Sequence, residues 1–128
     1  MRLNGYDIHK AININDDRYP FTEWILDGLK TIETRRTPSL SSCCGHRVAI
    51  IRTLHKQPAM IVGTAIVGLP VYYTELESFL ADTDKHMVPA DDIDYGFRDF
   101  KTGYPLYDVQ RLETPIHCTS RGIVIRNI

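Results

Sequence analysis

The segment at residues 30–35 places an amine, a carboxylate and a guanidinium close together in sequence, at Lys30, Glu33 and Arg35. Residues 31–35 alternate as a strand does, and alternate side chains of a strand share one face. Thr31, Glu33 and Arg35 are then expected to face one way, with the Lys30 ammonium over the same mouth. A carboxylate accepts from an exocyclic amine, and a guanidinium donates to paired acceptors or a phosphate. These residue types favour recognition of a nucleobase edge.

A purely structural interpretation of the same residues stays open, because ion pairs at strand edges often only hold a strand in place. Under the binding interpretation, Arg36, Arg47 and Arg52 extend the surface for a nucleic-acid backbone. Exposed tyrosines would supply stacking platforms for unpaired bases, although many tyrosines belong to cores. The candidates for stacking are Tyr72, Tyr73, Tyr95, Tyr104 and Tyr107.

The overall charge of the chain is balanced, with 15 Lys and Arg, 16 Asp and Glu, and a net charge of -1. This balance excludes a strongly basic, histone-like nucleic-acid binder. The charges are nevertheless segregated. Residues 30–56 hold six basic residues and one acid, and residues 74–99 hold eight acids and two basic residues. The pattern predicts either an anion-binding face beside an acidic flap or two solvated faces that differ by chance.

The three cysteines, Cys43, Cys44 and Cys118, make a poor disulfide framework because two of them are adjacent. His46 could add a further zinc ligand, but adjacent cysteines lack the two-residue spacer that is usual in zinc sites. We therefore expect buried thiols and no metal. No cofactor motif is visible. Residues 1–17 contain no apolar leader, and residues 58–73 are too short and too interrupted to cross a bilayer. We expect a cytoplasmic protein without a membrane segment.

Hydrophobic patterning predicts the elements that must position these side chains. Strands are predicted at residues 10–15, 31–35, 47–53, 60–67, 106–112 and 123–126. A first helix is predicted after Asp16 and Asp17, with Pro20 in its first turn and Gly28 at its end. Its apolar face would comprise Phe21, Trp24, Ile25 and Leu29.

A second helix is predicted to begin with a capping box at Thr74 and Glu77 and to bury Leu76, Phe79 and Leu80. A polar, acidic loop is expected from there to about residue 103, and Gly63 is expected at a bulge or a close approach. Six strands and two helices in this order are too β-rich for a doubly wound fold. The expectation is a single α+β domain over residues 1–128, built on a small mixed barrel.

Several segments resemble the signature of the ASCH domain family, named for activating signal cointegrator homology. The sequence DRYPF at residues 17–21, followed by ILDGLKTIETR at residues 25–35, is similar to the family's aromatic-flanked helix and its Gly-x-Lys-Thr-[Ile/Val]-Glu-x-Arg motif. Further similar segments are GHRVAI at 45–50, MIVGTA at 60–65, residues 104–116, and the glycine at 122. The resemblance covers about residues 10–126 in the family's order.

This resemblance implies a PUA-like mixed β pseudobarrel of about five or six strands with two or three flanking helices. It also implies a cleft near the first helix and residues 30–35 that recognises single-stranded RNA, a nucleoside or a nucleotide. The ligand-binding candidates are Lys30, Thr31, Glu33, Arg35, Arg36, Arg47 and Tyr104.

The same resemblance also implies a possible catalytic function, because some members of the ASCH group are amidohydrolases that deacylate N4-acetylcytidine-type nucleosides. They use a lysine, a threonine three residues later and a distant glutamate. Lys30 matches the first position, but Glu33 stands where the threonine would be. If the protein is an enzyme, Lys30 and Glu33 are its predicted catalytic residues. Glu75, Glu77, Asp91 and Asp92 are the candidates for the distant carboxylate.

A ribonuclease activity and a protein-interaction role stay open as well. Some ASCH members are ribonucleases, for which Lys30, Glu33 and Arg35 would supply a base and a phosphate clamp. In the interaction role, the acidic segment at residues 82–99 would dock a partner. No sequence motif supports that alternative.

Overall fold

The computed structural model describes residues 1–128 and contains nine strands and three short α-helices. The helices are α1 (Phe21–Leu26), α2 (Leu76–Ala81) and α3 (Thr83–His86), with a 3₁₀ turn at Ser41–Cys43. The strands are β1 (Arg2–Leu3), β2 (Tyr6–Asp7), β3 (Lys10–Asn15), β4 (Ile32–Arg35), β5 (Arg47–Thr53), β6 (Met60–Val67), β7 (Val71–Tyr73), β8 (Lys101–His117) and β9 (Ile125–Asn127). None of the helices has the length and apolar character needed to cross a membrane.

Seven of the strands form one mixed sheet in the order β4-β8-β6-β5-β3-β9, with β7 also paired to β8. Strands β3 and β5 are parallel, and the other pairs in this sheet are antiparallel. The first residues of β8 pair with β4 and β7, and its later residues pair with β6. At the open side, Arg35 Nη2 on β4 donates to the Asn13 carbonyl on β3 at 2.7 Å. The sheet therefore curls into a half-barrel, and the predicted α+β class is confirmed.

The centre of the sheet is buried on both faces, which explains the mainly apolar sequences of β5 and β6 and the burial of Asn13 within β3. One face contributes Ile12 and Ile50 to a cluster of 16 buried residues that also includes Phe21 of α1. The other face contributes Ala11 and Ile51 to a second cluster of 8 residues, which the chain around the β1–β2 hairpin covers. The predicted bounds of these three strands are those of the structure.

Helix α1 lies where its residues predict it, although Pro20 is its N-cap and lies just before the first turn. The Asp16 carboxylate accepts from the Thr22 backbone N–H at 3.1 Å, and Gly28 takes a positive φ of 79° just beyond the helix. Phe21 and Ile25 are buried, but Leu29 is 55% exposed. The prediction that places Leu29 on the apolar face is wrong, because the helix ends at Leu26 and helical spacing does not continue past it.

The prediction for residues 74–103 is wrong in three respects. No side chain accepts from the backbone N–H groups at the N-terminus of helix α2, so no capping box forms. Leu76 and Leu80 are about half exposed and only Phe79 is buried, because a six-residue helix packs through a single residue, here against the His86 ring at 4.0 Å. The predicted loop also contains α3, and β8 begins before residue 103.

Strand β8 is ten residues longer than predicted, since Gly103 and Pro105 suggest a break where the chain in fact pairs with β4 and β7. The expectation for Gly63 is confirmed. The β5–β6 register shifts beside it, and a Cβ at this position would lie 2.5 Å from Leu26 Cδ2 and 2.6 Å from the Gln110 carbonyl oxygen.

Candidate ligand-binding site

A cavity of about 180 Å³ lies between α1, β3, β4 and the acidic segment. A single water occupies about 30 Å³ of liquid, so the cavity has room for a group the size of one ring. The residues that line it are Asn13, Asn15, Phe21, Glu33, Thr34, Arg35, Val88, Tyr95 and Ile123. We refer to it below as the Glu33 cavity.

The Glu33 carboxylate is buried and held between two cations. Its Oε1 lies 3.6 Å from Lys30 Nζ and accepts from the Thr34 backbone N–H at 3.2 Å. Its Oε2 accepts from Arg35 Nη2 at 3.1 Å. Two cationic neighbours and a backbone N–H hold the carboxylate in one orientation. The site therefore presents a pre-oriented acceptor.

Lys30 forms an ion pair with this carboxylate from the interior of the protein. Its side chain is fully buried, and its ammonium lies 4.6 Å from the centroid of the Phe21 ring and donates to the His86 carbonyl. Burial lowers the pKa of Lys30, and the Glu33 carboxylate opposes that shift. Lys30 does not line the cavity. The ammonium thus lies beneath the site, and the prediction that it lies over the mouth is wrong.

Arg35 connects the site to β3. One of its terminal nitrogens, Nη2, serves both Glu33 and the Asn13 carbonyl. Its Nε is buried and donates to no protein acceptor. Buried donors without partners are rare and costly. Arg35 therefore keeps one buried donor that no protein group satisfies.

Lys101 is a buried cation near this site that the sequence did not reveal. Its Nζ donates to the Tyr95 carbonyl at 2.8 Å. Burial lowers the pKa of Lys101 to about 8, the Arg36 charge adds to that shift, and the Glu33 charge opposes it. Lys101 lies in the stretch for which the sequence predicts a polar loop. A strand beginning there would have placed it on the same face as Gly103, towards β4.

The acidic segment closes over the site through ion pairs. Arg18 contacts Asp92 at 3.2 Å and Asp94 at 2.7 Å, and the Tyr19 hydroxyl donates to the same Asp92 carboxylate. Arg36 donates to the Asp94 carbonyl at 2.8 Å. The acidic segment is therefore a wall of the cavity, held partly by basic residues, and not a free flap.

Several predicted ligand-binding residues lie outside the Glu33 cavity. Thr31 lies on a separate groove with Lys85. Arg47 pairs with Asp108 and lines a different cavity. Tyr104 is fully buried, a correction to its predicted role at the ligand.

Tyr104 can be buried because its hydroxyl has hydrogen-bond partners within the protein. The hydroxyl accepts from the Leu40 backbone N–H and lies 2.9 Å from Ser41 Oγ. Among the remaining tyrosines, Tyr95 lines the Glu33 cavity and Tyr73 is buried. Tyr72 and Tyr107 are exposed away from that cavity.

The carboxylates predicted for a distant catalytic role are not assembled with Lys30. Glu75, Glu77 and Asp91 are exposed, and Asp92 is engaged with Tyr19 and Arg18. No hydroxyl oxygen is hydrogen-bonded to Lys30 or to Glu33. Cys43 and Cys118 are buried and Cys44 is half-buried, all as free thiols. No group of three or more His, Cys, Asp or Glu residues converges in a way that could hold a metal ion.

Solved structures of an ASCH protein from Zymomonas mobilis share this architecture. The unmodified protein is 21% identical over 84% of this chain and 72% of its own, with a TM-score of 0.65. Its variant with tyrosine replaced by phenylalanine is 21% identical over 84% and 74% of the two chains, with a TM-score of 0.64. Its variant with serine replaced by alanine is 18% identical over 93% and 87%, with a TM-score of 0.66.

No family model and no curated protein matches this sequence. The structural similarity shows that the chain has the fold of ASCH proteins. The predicted PUA-like pseudobarrel is thereby confirmed.

Proposed function

We propose that this protein is an ASCH-type module that binds single-stranded RNA, or a nucleoside or nucleotide, by taking one base into the Glu33 cavity. The observation that carries the proposal is the buried Glu33 carboxylate, fixed at the wall of a ring-sized cavity beside two aromatic side chains. Phe21 and Tyr95 provide apolar ring surface, which unpaired bases use for stacking. The resemblance of residues 17–35 to the ASCH signature and the shared fold support the same conclusion.

The polar groups of the cavity favour a base with an exocyclic amine. The Glu33 carboxylate can only accept hydrogen bonds, so it pairs with the amine of cytosine or adenine and not with the corresponding carbonyl of uracil. Arg35 also lines the cavity, and its guanidinium can only donate, so it would pair with a ring nitrogen or a carbonyl oxygen of the same base. A matched donor and acceptor pair contributes about 1–3 kcal/mol of discrimination.

The test is a fluorescence anisotropy titration with short cytidine, adenosine and uridine oligonucleotides. We expect the amine-bearing oligonucleotides to bind about tenfold or more tightly than the uridine one. Glu33→Gln should remove most of that preference, because the amide carries both a donor and an acceptor. Arg35→Lys tests the guanidinium, and Lys56→Gln is the matched control, since Lys56 is exposed and makes no ion pair. Equal binding of all three oligonucleotides, unchanged by Glu33→Gln, would refute the proposal.

Lys30→Ala is a poor test of ligand contact, because its ammonium is buried beneath Glu33 and a lost signal would report damage to the site. Thermal unfolding of each variant should accompany the titrations. A variant that keeps its wild-type Tm and loses base preference identifies a ligand contact.

A hydrolase is the second candidate, favoured by the buried Lys30–Glu33 pair and by the lowered pKa of Lys101, since perturbed groups cluster at catalytic sites. Glu33 would act as the general base that takes a proton from water as its oxygen attacks the acyl carbon of an N4-acylcytidine. As the C–N bond breaks, the protonated Glu33 returns that proton to the departing N4 amine, which gives a carboxylic acid and cytidine. Without an assembled hydroxyl nucleophile, water must be the nucleophile.

Chromatography of N4-acetylcytidine and of intact RNA, incubated with the protein, separates the catalytic possibilities from binding. Release of cytidine that stops in Glu33→Gln would establish an amidohydrolase. Shortened RNA that stops in the same variant would establish a ribonuclease. Saturable binding with both substrates intact would support the binding module alone.

A further inference from the structure

A second cavity, of about 380 Å³, lies at the beginning of strands β3 and β5 and has no apolar residue in its lining. Strands β3 and β5 are parallel, so their first residues meet at one end of the half-barrel. The lining residues are Asp7, His9, Lys10, Ser42, His46 and Arg47. The Glu33 cavity contacts β3 at Asn13 and Asn15 instead. Asn13 lies three positions along β3 from Lys10, so the two residues are about 10 Å apart.

The side chains of this second cavity are mainly hydrogen-bond donors without protein partners. The half-buried Lys10 ammonium has no carboxylate within ion-pair distance and no protein acceptor. The imidazoles of His9 and His46 are exposed and make no hydrogen bond to the protein. The one carboxylate, that of Asp7, is paired with Arg2 at 3.2 Å. The cavity therefore carries an unbalanced positive charge.

Arg47 is held rigidly at the wall of this cavity. Its guanidinium lies 4.2 Å from the centroid of the Tyr6 ring. Its Nη1 donates to Thr64 Oγ1 and to the Asp108 carbonyl, both at 3.0 Å, and its Nη2 pairs with the Asp108 carboxylate. These bonds leave Nε free and fix the plane of the group. Arg47 thus helps shape the cavity, and Lys10 carries most of its free charge.

We propose that this cavity binds a phosphate group. An ammonium, a hydroxyl and two imidazoles from two separate stretches of the chain, residues 9–10 and 42–46, supply the donors that a phosphate requires. The proposal stands on these contacts and does not depend on the function proposed for the Glu33 cavity. The phosphate is either free inorganic phosphate or part of a nucleic-acid backbone.

The first experiment is an NMR titration of the isotope-labelled full chain with inorganic phosphate, against sodium chloride at equal ionic strength. We expect saturable shifts of the backbone amides of Lys10, Ser42 and His46, with phosphate and not with chloride. Lys10→Gln should weaken binding about tenfold, the cost of one charge-assisted hydrogen bond. Lys56→Gln, which removes an exposed charge elsewhere, should leave binding unchanged.

His46→Gln and Ser42→Ala are additional variants at exposed positions, so a folding defect in Lys10→Gln cannot conceal the answer. Each should weaken phosphate binding while the Tm stays at the wild-type value. Absence of saturable shifts, or equal weakening by Lys10→Gln and Lys56→Gln, would overturn the proposal.

Anisotropy with short single-stranded RNA identifies the source of the phosphate. If Lys10→Gln weakens RNA binding as well as phosphate binding, the site holds a backbone phosphate. If it weakens phosphate binding alone, the site holds the free anion. Both results support the cavity as a phosphate site, whatever the Glu33 variants do to base preference.

Discussion

Removing the buried Lys30 charge should destabilise the protein much more than removing an exposed lysine. In Lys30→Met the side chain keeps its length and apolar stem but loses the ion pair with Glu33 at 3.6 Å and the hydrogen bond to the His86 carbonyl. Glu33, only 6% exposed, would retain Arg35 as its one cationic partner. An anion in that position is only partly compensated by its remaining cationic partner.

The size of the effect follows from this geometry. Breaking a buried pair by removing one partner costs about 3–5 kcal/mol. Because Arg35 still neutralises part of the Glu33 charge, we expect the lower end, about 3 kcal/mol. In the double variant Lys30→Met with Glu33→Gln no orphaned anion is left, and the amide oxygen still accepts from Arg35. The double variant should therefore be more stable than Lys30→Met by at least about 1 kcal/mol.

Urea unfolding at neutral pH measures the four free energies of this double-mutant cycle. Lys85→Met is the control, because the Lys85–Asp82 pair, at 3.7 Å with a lysine side chain 55% exposed, should contribute less than about 1 kcal/mol. The reasoning fails if Lys30→Met costs no more than Lys85→Met, or if Glu33→Gln makes Lys30→Met still less stable.

Three further predictions concern groups outside that pair. Because the pKa of Lys101 is lowered to about 8, the unfolded chain binds more protons above that pH, and the free energy of unfolding should rise with pH relative to Lys101→Met. The rise should be at most about 1.4 kcal/mol per pH unit up to about pH 10, and parallel urea-derived curves for the two proteins would contradict it. Burial lowers the pKa of His86, whose Nδ1 accepts from the Val88 N–H at 3.0 Å. An NMR titration should therefore give a midpoint below the ordinary histidine value and show the neutral ring protonated on Nε2, and a midpoint at or above that value would contradict this assignment. Gly63→Ala should cost about 1–3 kcal/mol in urea unfolding, because its Cβ would overlap the Gln110 carbonyl, and a cost near zero would show that β8 yields easily.

The central strands could be predicted from the sequence because their boundaries depend on local signals. Residues 47–53 and 60–67 are mainly apolar, and residues 10–15 alternate between apolar and polar side chains. All three segments are followed by polar or turn residues, and both faces of these strands are buried. The prediction for residues 74–103 is wrong because their structure depends on distant partners. His86 and Val88 are buried by packing against α2 and the barrel, and no local periodicity announces that.

The same distinction between local signals and distant partners applies to the candidate site. The contact between Glu33 and Arg35 follows from the two-residue period of a strand, which makes it predictable from the sequence. The depth of Lys30 was not predictable, because its ammonium is capped by the carbonyl of His86, 56 residues later in the chain. Tyr95 and Lys101 belong to the site only because the acidic segment folds over β4 and β8.

The two kinds of ion pair at this site determine how a salt titration should be interpreted. The pairs of Arg18 with Asp92 and Asp94 involve a half-exposed guanidinium, so added salt weakens them, whereas the buried Lys30–Glu33 pair is screened much less. RNA binding also weakens with salt through release of counterions from phosphates. Counterion release lowers the affinity for every sequence alike, but loosening the acidic segment displaces Tyr95 and lowers the preference for amine-bearing bases. The ratio of affinities between cytidine and uridine oligonucleotides therefore reports on the Glu33 cavity, and the salt slope alone does not.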